Sequence, residues 1–450
     1  MVREDFGPEF KWGVSSAAFQ IEGAWDTDGK GRSIWDVFTS RRGKIKNAQH
    51  ARMACDFYHR YLEDIALVRA LNIPNFRLSV AWPRIFPEGV GKINPKGMDF
   101  YNRVIDGCLE QGITPWLTLY HWDLPQALQD KGGWTNRDIL AWMEEYASYV
   151  TRCLGDRVKH WMVLNEPTVF TGAGYFFGVH APGLTGLRNF FPAAHHAALA
   201  MGRIGRLIRA EVRDVQVGTT FSCSSIHPAS NRPRDLQAAI RADALINRLF
   251  IEPILGLGYP TGDLKALAGI EKYMQAGDEK ALPFDFDFIG VQNYTREVVA
   301  SSLFVPYLQA RLVPAKKRKV PAITAMGWEV YPQAIYEMIK KFSAYPGVPK
   351  LYITENGAAF PDQVAGGRVK DQQRLSYLQD HLAQVLRAKR DGLNVQGYFV
   401  WTLTDNFEWA EGYHARFGLV HVDFDTQQRI VKDSGKWYGS LLSDSSAPHP

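Results

Sequence analysis

Eight times between Phe10 and Trp437, a short apolar run of strand-forming residues is followed by a longer run with helical spacing. Such alternation is the signature of parallel strands joined by crossover helices, and eight repeats favour a closed barrel over an open doubly wound sheet. The strand-like runs cover residues 10–17, 75–80, 113–119, 215–220, 286–291 and 395–401, with two more ending in Asn165-Glu166 and Thr354-Glu355. Helical runs follow near residues 61–68, 100–109, 136–154, 189–213, 235–250, 329–342 and 371–390, and a last one near Trp437. No Gly/Ser- or Pro-rich linker divides the chain. The expected fold is therefore α/β, a single (β/α)8 TIM barrel over residues 1–450 with long βα loops, a length that such a barrel reaches without a second core.

Composition excludes several partners. Lys plus Arg exceed Asp plus Glu by 52 − 47 = 5, too slight a bias in 450 residues for a nucleic-acid footprint. The basic cluster Lys316-Lys317-Arg318-Lys319 lies between Pro314 and Pro321 and reads as a solvated loop tip. Cys55, Cys108, Cys153 and Cys223 are far apart, without C-x-x-C or histidines at ligand spacing, so they read as small core residues in a reducing, cytoplasmic compartment. No metal cluster, G-x-G-x-x-G or Walker loop follows any strand, so neither metal nor nucleotide cofactor is expected. No apolar run approaches a membrane span, and the N-terminus carries no apolar leader. The 13 Trp, 19 Tyr and 25 Phe are a hint of sugar recognition, since aromatic faces cover the apolar faces of pyranose rings.

Two acids stand where a buried strand should end. Leu351-Tyr352-Ile353-Thr354-Glu355 is stopped by Asn356-Gly357, and His160-Trp161-Met162-Val163-Leu164-Asn165-Glu166 by Pro167. In a barrel, the carboxyl ends of parallel strands face one mouth, where the chemistry of this fold is placed. Other polar and aromatic residues gather at the same strand ends: Gln20, Arg77, His121-Trp122-Asp123, Gln292-Asn293-Tyr294, Trp401 and, beyond it, Glu408-Trp409. Packing alone does not explain such a set at one rim.

These residues carry a family resemblance. The chain resembles the family 1 glycoside hydrolases, the retaining β-glucosidase and β-galactosidase family. The likeness runs through Phe10-Lys11-Trp12-Gly13, residues 76–85, His121-Trp122-Asp123-Leu124-Pro125, Asn165-Glu166-Pro167, Thr354-Glu355-Asn356-Gly357 and residues 405–409 to Ser434-Gly435-Lys436-Trp437-Tyr438. It implies that Glu166 is the acid/base and Glu355 the nucleophile, with the two carboxyls ~5–5.5 Å apart as retention requires. Arg77 would then favour the ionised form of Glu355, and the charge of Glu355 would raise the pKa of Glu166.

The same resemblance implies that Tyr294 hydrogen-bonds the nucleophile and that Asn165 meets the sugar 2-hydroxyl. It gives the other hydroxyls to Gln20, His121, Trp122, Glu408 and Trp409, with Glu408 accepting as a charged group. Trp401 would be the platform under the ring and Trp328 the wall against the leaving group, which Val169, Phe170, Tyr175 and Phe176 are also placed to line. Gln292 occupies the family's usual asparagine position, which leaves its contact with the site open. The implied substrates are small β-glycosides and oligosaccharides. A 6-phospho-β-glycosidase is disfavoured, because Glu408, Ala415 and Phe417 stand where that branch has serine, lysine and tyrosine to hold phosphate. A thioglucosidase has glutamine at the position of Glu166, and a non-catalytic sugar-binding barrel normally lacks one or both glutamates.

Overall fold

The computed structural model describes residues 1–443. Eight parallel strands close in chain order: β1 (Lys11–Ser15), β2 (Asn75–Ser79), β3 (Thr114–Tyr120), β4 (His160–Asn165), β5 (Gln216–Ser222), β6 (Phe288–Gln292), β7 (Leu351–Asn356) and β8 (Val395–Trp401). The last returns beside the first, with Trp401 opposite Ser15, so the barrel has no free edge. Each strand leads to a helix: α1 (Phe57–Ala70), α2 (Pro95–Glu110), α3 (Ile139–Leu154), α4 (Leu187–Glu211), α5 (Pro233–Asp243), α6 (Gln333–Ser343), α7 (Gln372–Arg390) and α8 (Asp433–Leu442). Their apolar stripes face inward. In α6, Ile335, Met338, Ile339 and Phe342 recur at helical spacing and are all buried.

The barrel is filled and is not a pore. Trp116, Met162, Phe288, Tyr352 and Phe399 form one buried cluster inside it, and the Trp116 indole N–H donates to Asn75 Oδ1 at 2.9 Å. Two glycines make the room: a Cβ on Gly13 would lie 2.3 Å from the Phe399 ring, and one on Gly218 would lie 2.3 Å from the Phe288 ring. Packing at this density transmits any enlargement directly to the neighbouring side chains.

The departures from the expected elements have local causes. The run expected as one helix over 235–250 stops at Asp243 and widens into a turn over Ala244–Arg248. There Asn247 turns its amide onto both backbone groups of Ser224. The helix expected from residue 329 starts at Gln333 instead, because Glu329 bridges to Ile323 in extended backbone and Pro332 opens the helix. In the basic cluster, Lys316 and Lys317 are exposed as expected. Residues Ala315–Arg318, however, form one helical turn that sends the Arg318 guanidinium inward to Glu329 and the Val313 carbonyl. Short strands Ser225–Pro228, Arg296–Ser301 and Ala310–Leu312 pair into a side sheet above the barrel. All four cysteines are unpaired, and no helix among the described residues is long and apolar enough to cross a membrane.

Behind the loop that follows β8 lies a buried ionic network. Lys432 is fully buried, and its Nζ donates to Asp405 Oδ1 at 2.6 Å and pairs ionically with Asp362 Oδ2 at 2.5 Å. Arg416 reaches Asp405 Oδ2 at 3.1 Å, while Arg374 holds Asp362 and Asp371. Among the described residues Asp362, Asp405 and His421 are the one group of acids and histidines close enough to ligate an ion. The ammonium of Lys432 already bridges the two carboxylates, so the cation there is supplied by the chain itself.

Two outcomes follow. Lys432→Met leaves both carboxylates buried without their shared partner, a loss of about 3–5 kcal/mol by analogy with broken buried pairs, and should markedly lower the thermal unfolding midpoint. Exhaustive dialysis of the unaltered protein against a chelator should leave that midpoint unchanged; a drop reversed by a divalent ion would show that the cluster holds a metal.

Candidate active site

At the carboxyl ends of the strands a cavity of about 350 Å³ opens. Of the expected residues, His121, Trp122, Glu166, Tyr294, Trp328, Glu355, Trp401, Glu408 and Trp409 line it. Gln20, Arg77 and Asn165 stand directly behind this wall, bonded to it. Barrel geometry brings them together: β2, β4, β6 and β7 deliver Arg77, Asn165, Gln292 and Glu355 at nearly the same height.

Glu355 is held by three donors. Arg77 Nη1 lies 2.5 Å and Gln292 Nε2 2.8 Å from its Oε1, and the Tyr294 hydroxyl donates to Oε2 at 2.7 Å. One lone pair of Oε2 is thereby left without a partner. Arg77 is itself fixed, its Nη2 donating to Asn165 Oδ1 at 2.5 Å and its Nε to Thr118 Oγ1 at 3.2 Å. The question left open for Gln292 is answered: it bonds both Glu355 and Asn165, the latter at 2.8 Å. Burial is the largest influence on the Glu355 carboxyl and raises it above the usual carboxylate range, while Arg77 and Tyr294 pull it back. Arg77 thus works toward ionisation, but desolvation outweighs it. Burial and the neighbouring carboxylate keep Tyr294 a phenol and thus a donor.

Glu166 is the first residue past β4 and takes left-handed backbone geometry, φ 47° and ψ 63°, before Pro167 opens a short helix. Its N–H donates to the Thr220 carbonyl at 3.0 Å, which ties the strained residue to β5. Trp122 at φ 77° and Trp409 at φ 48° share that backbone region, so three residues of the lining are held in conformations a side chain seldom adopts. Burial first, and then the charge of Glu355, push the Glu166 carboxyl well above its ordinary range. Glu408 is raised by the same two causes to about 8. Near neutral pH it is thus pushed toward the protonated form, against the charged acceptor expected for this position. With one guanidinium among three carboxyls, Glu355, which it touches, is the acid with the strongest claim to the charge.

The Asn165 amide is oriented unambiguously. Its Oδ1 accepts from Arg77, from Gln292 and, at 3.0 Å, from Thr220 Oγ1, so its Nδ2 must donate to His121 Nε2 at 3.0 Å. His121 therefore carries its proton on Nδ1, which is buried and unpartnered, and burial drives its pKa well below the ordinary value. The imidazole is a neutral donor. On the other flank, Gln20 Nε2 donates to Glu408 Oε2 at 3.2 Å, to the Phe407 carbonyl and to Asn406 Oδ1, leaving Gln20 Oε1 without a partner. Trp122 donates to the Asn165 carbonyl at 2.8 Å. Trp409 packs against Trp122, Trp35 and Phe19 at ring separations of 4.5, 4.6 and 6.0 Å.

At the outer end, Trp328 sits 5.4 Å from the Tyr294 ring and is half-buried. Of the four residues expected beside a leaving group, Val169 lines the cavity but Phe170 and Tyr175 do not. Phe170 turns into the core against Tyr120 and Trp134, Tyr175 bonds Gln129 at 2.6 Å, and Phe176 packs on Phe177 and Phe190. The helical turns after Glu166 set that inward direction, which apolar composition alone does not reveal. The sequence reading missed Ser222, Ser224, Thr295, Glu297 and Met326, which also line the cavity. Ser224 and Glu297 belong to stretches whose side-sheet pairing leaves too short a pattern to recognise.

Comparison with known proteins agrees with this geometry. The family described as Glycosyl hydrolase family 1 matches residues 2–446. A Beta-glucosidase A from Acetivibrio thermocellus is 43% identical over 450 residues, covering 99% of this chain and 100% of that protein. A 1,4-beta-D-glucan glucohydrolase from Thermotoga neapolitana is 44% identical over 442 residues, 98% of each. The solved structure of the family 1 b-glucosidase from Thermotoga maritima superposes with a TM-score of 0.94 at 44% identity, covering 97% of this chain and 98% of that one. With its closed barrel, its two rim glutamates and a match along nearly its entire length, the chain belongs to glycosyl hydrolase family 1.

Proposed function

We propose that this protein is a retaining β-glucosidase that removes terminal β-D-glucosyl residues from small glycosides and β-linked gluco-oligosaccharides, with slower action on β-galactosides and β-fucosides. Glu355 is the nucleophile and Glu166 the acid/base. The observation that carries the assignment is the asymmetry between the two acids: Glu355 accepts three hydrogen bonds, one from a guanidinium, whereas Glu166 is buried and held protonated by the charge beside it. A nucleophile needs the first environment and an acid the second.

In the first step Oε2 of Glu355 attacks the anomeric carbon, the bond to the leaving oxygen breaks, and the Glu166 proton goes to that oxygen. In the second, the Glu166 carboxylate takes a proton from water, whose oxygen attacks the anomeric carbon and breaks the ester to Glu355. Because Asn165 Oδ1 is fully occupied, Asn165 meets the sugar 2-hydroxyl as an N–H donor, and His121 Nδ1–H is a second donor to the ring hydroxyls. Glu408, backed by Gln20, receives the 4- and 6-hydroxyls, while Trp409 limits bulk near O6 and Trp401 lies under the ring. Phe417 at the cavity wall and the buried Ala415 offer a phosphate no donor, which opposes the 6-phosphoglycoside reading. Four unpaired thiols support a reducing, cytoplasmic setting.

The pH dependence of kcat/KM should be bell-shaped, falling on the acid side as Glu355 gains a proton and on the alkaline side as Glu166 loses one. In Arg77→Met the Glu355 pKa rises, so activity should start to fall at a higher pH on the acid side. Arg77 also lowers the Glu166 pKa, so the alkaline limb should move the same way. A pH–rate profile with an unmoved acid limb in the folded variant would refute this role for Arg77.

The two glutamates separate by leaving group. Glu166→Ala should still form the glycosyl-enzyme from dinitrophenyl β-glucoside, whose leaving group needs no proton, yet lose nearly all cleavage of cellobiose. Added azide should restore turnover and yield the β-glucosyl azide. Glu355→Ala should fail on both substrates, and azide attacking directly should give the α-anomer. Proton NMR of the azide products decides; opposite anomers would mean the roles are reversed.

A further inference from the structure

Glu297 is an acid on the cavity wall that the two-step reaction does not use. It follows Arg296 at the start of the outer strand Arg296–Ser301, where neighbouring side chains point to opposite faces. Arg296 turns away, donating twice to Glu329 at 2.9 Å with its guanidinium 3.8 Å from the Tyr331 ring centroid. Glu297 turns to the cavity, where Ser224, Thr295 and Trp328 also stand. The Thr295 hydroxyl donates to the Glu329 carbonyl at 2.8 Å, which fixes the Glu297 strand beside the Trp328 segment.

Half-buried, Glu297 makes no side-chain hydrogen bond or ion pair among the described residues. Arg318, the cation that acts on it electrostatically, is spent on Glu329 and the Val313 carbonyl. A carboxyl left so on a cavity wall has unused acceptor capacity at a desolvation cost that a ligand's hydroxyls would offset. Burial raises its pKa to about 6, so it is largely ionised at neutral pH. The same cavity carries an apolar lining from Trp328, Met326 and Val169. An apolar face next to an acceptor edge matches a pyranose ring, which has one of each.

We propose that Glu297 is a specificity-determining residue for the leaving group, accepting hydrogen bonds from the hydroxyls of a second sugar seated against Trp328, so that saccharide leaving groups gain binding that aryl groups do not. This rests on the β-glucosidase reading above. The test compares kcat/KM for cellobiose and for p-nitrophenyl β-glucoside in wild type, Glu297→Gln and Glu297→Leu. In Glu297→Leu the cellobiose value should fall about tenfold or more, mainly through KM, as expected for loss of a charged hydrogen bond. The aryl value should stay within about twofold of wild type, and Glu297→Gln, which keeps one acceptor, should fall in between. Wild-type protein inert on both substrates would overturn the β-glucosidase reading and this one with it. Wild-type protein that cleaves the aryl glucoside alone, or variants that lose both substrates alike or neither, would overturn this inference only.

Discussion

A single guanidinium decides the charge state of the whole cavity. Arg77 is the cation bonded into a wall that also carries Glu166 and Glu355, both buried, and the half-buried Glu408. Removing three carboxylates from water together is prohibitively costly, and one positive charge compensates one of them. Hydrogen bonds then select which one: the acid that touches Arg77, Gln292 and Tyr294 has the best claim to ionise, and desolvation, joined by its charge, pushes the others toward the protonated form. The division of labour between two chemically identical side chains thus comes from who stands beside them.

That arrangement needs a scaffold that does not yield. The filled barrel interior beneath the site supplies one part, and the chain beyond β8 supplies another. The Lys432 network anchors Asp405, three residues before Glu408, from behind, while the aromatic packing around Trp409 fixes the other side of the same loop. Strain at Glu166, Trp122 and Trp409 is tolerable because each is tied into packed or hydrogen-bonded surroundings.

The barrel was legible in the sequence because its signal is long: eight repetitions of two periods, each strand a nearly continuous apolar run. The acids at 166 and 355 were legible because a charge ends each of two such runs. Hidden were features set by tertiary contact. The amide of Asn247 breaks a helix that periodicity extends, and Arg318 leaves its solvated neighbours for Glu329. Phe170 and Tyr175 have the composition of a substrate wall but face the core. Gln292 differs from the residue usual at its place in the family, and only its two bonds reveal that it still bridges Asn165 and Glu355. Glu297 was invisible for a further reason: a lone acid on a short outer strand reads as surface.

The aromatic cluster within the barrel has a kinetic meaning as well as a structural one. Trp116, Met162, Phe288, Tyr352 and Phe399 close the passage that a hollow barrel would offer, so the cavity has no back door. A sugar released at the floor must leave by the mouth through which the next substrate arrives, and traffic in both directions shares one lane. Whatever is seated at the floor therefore bars the next molecule until it has gone back out by the mouth.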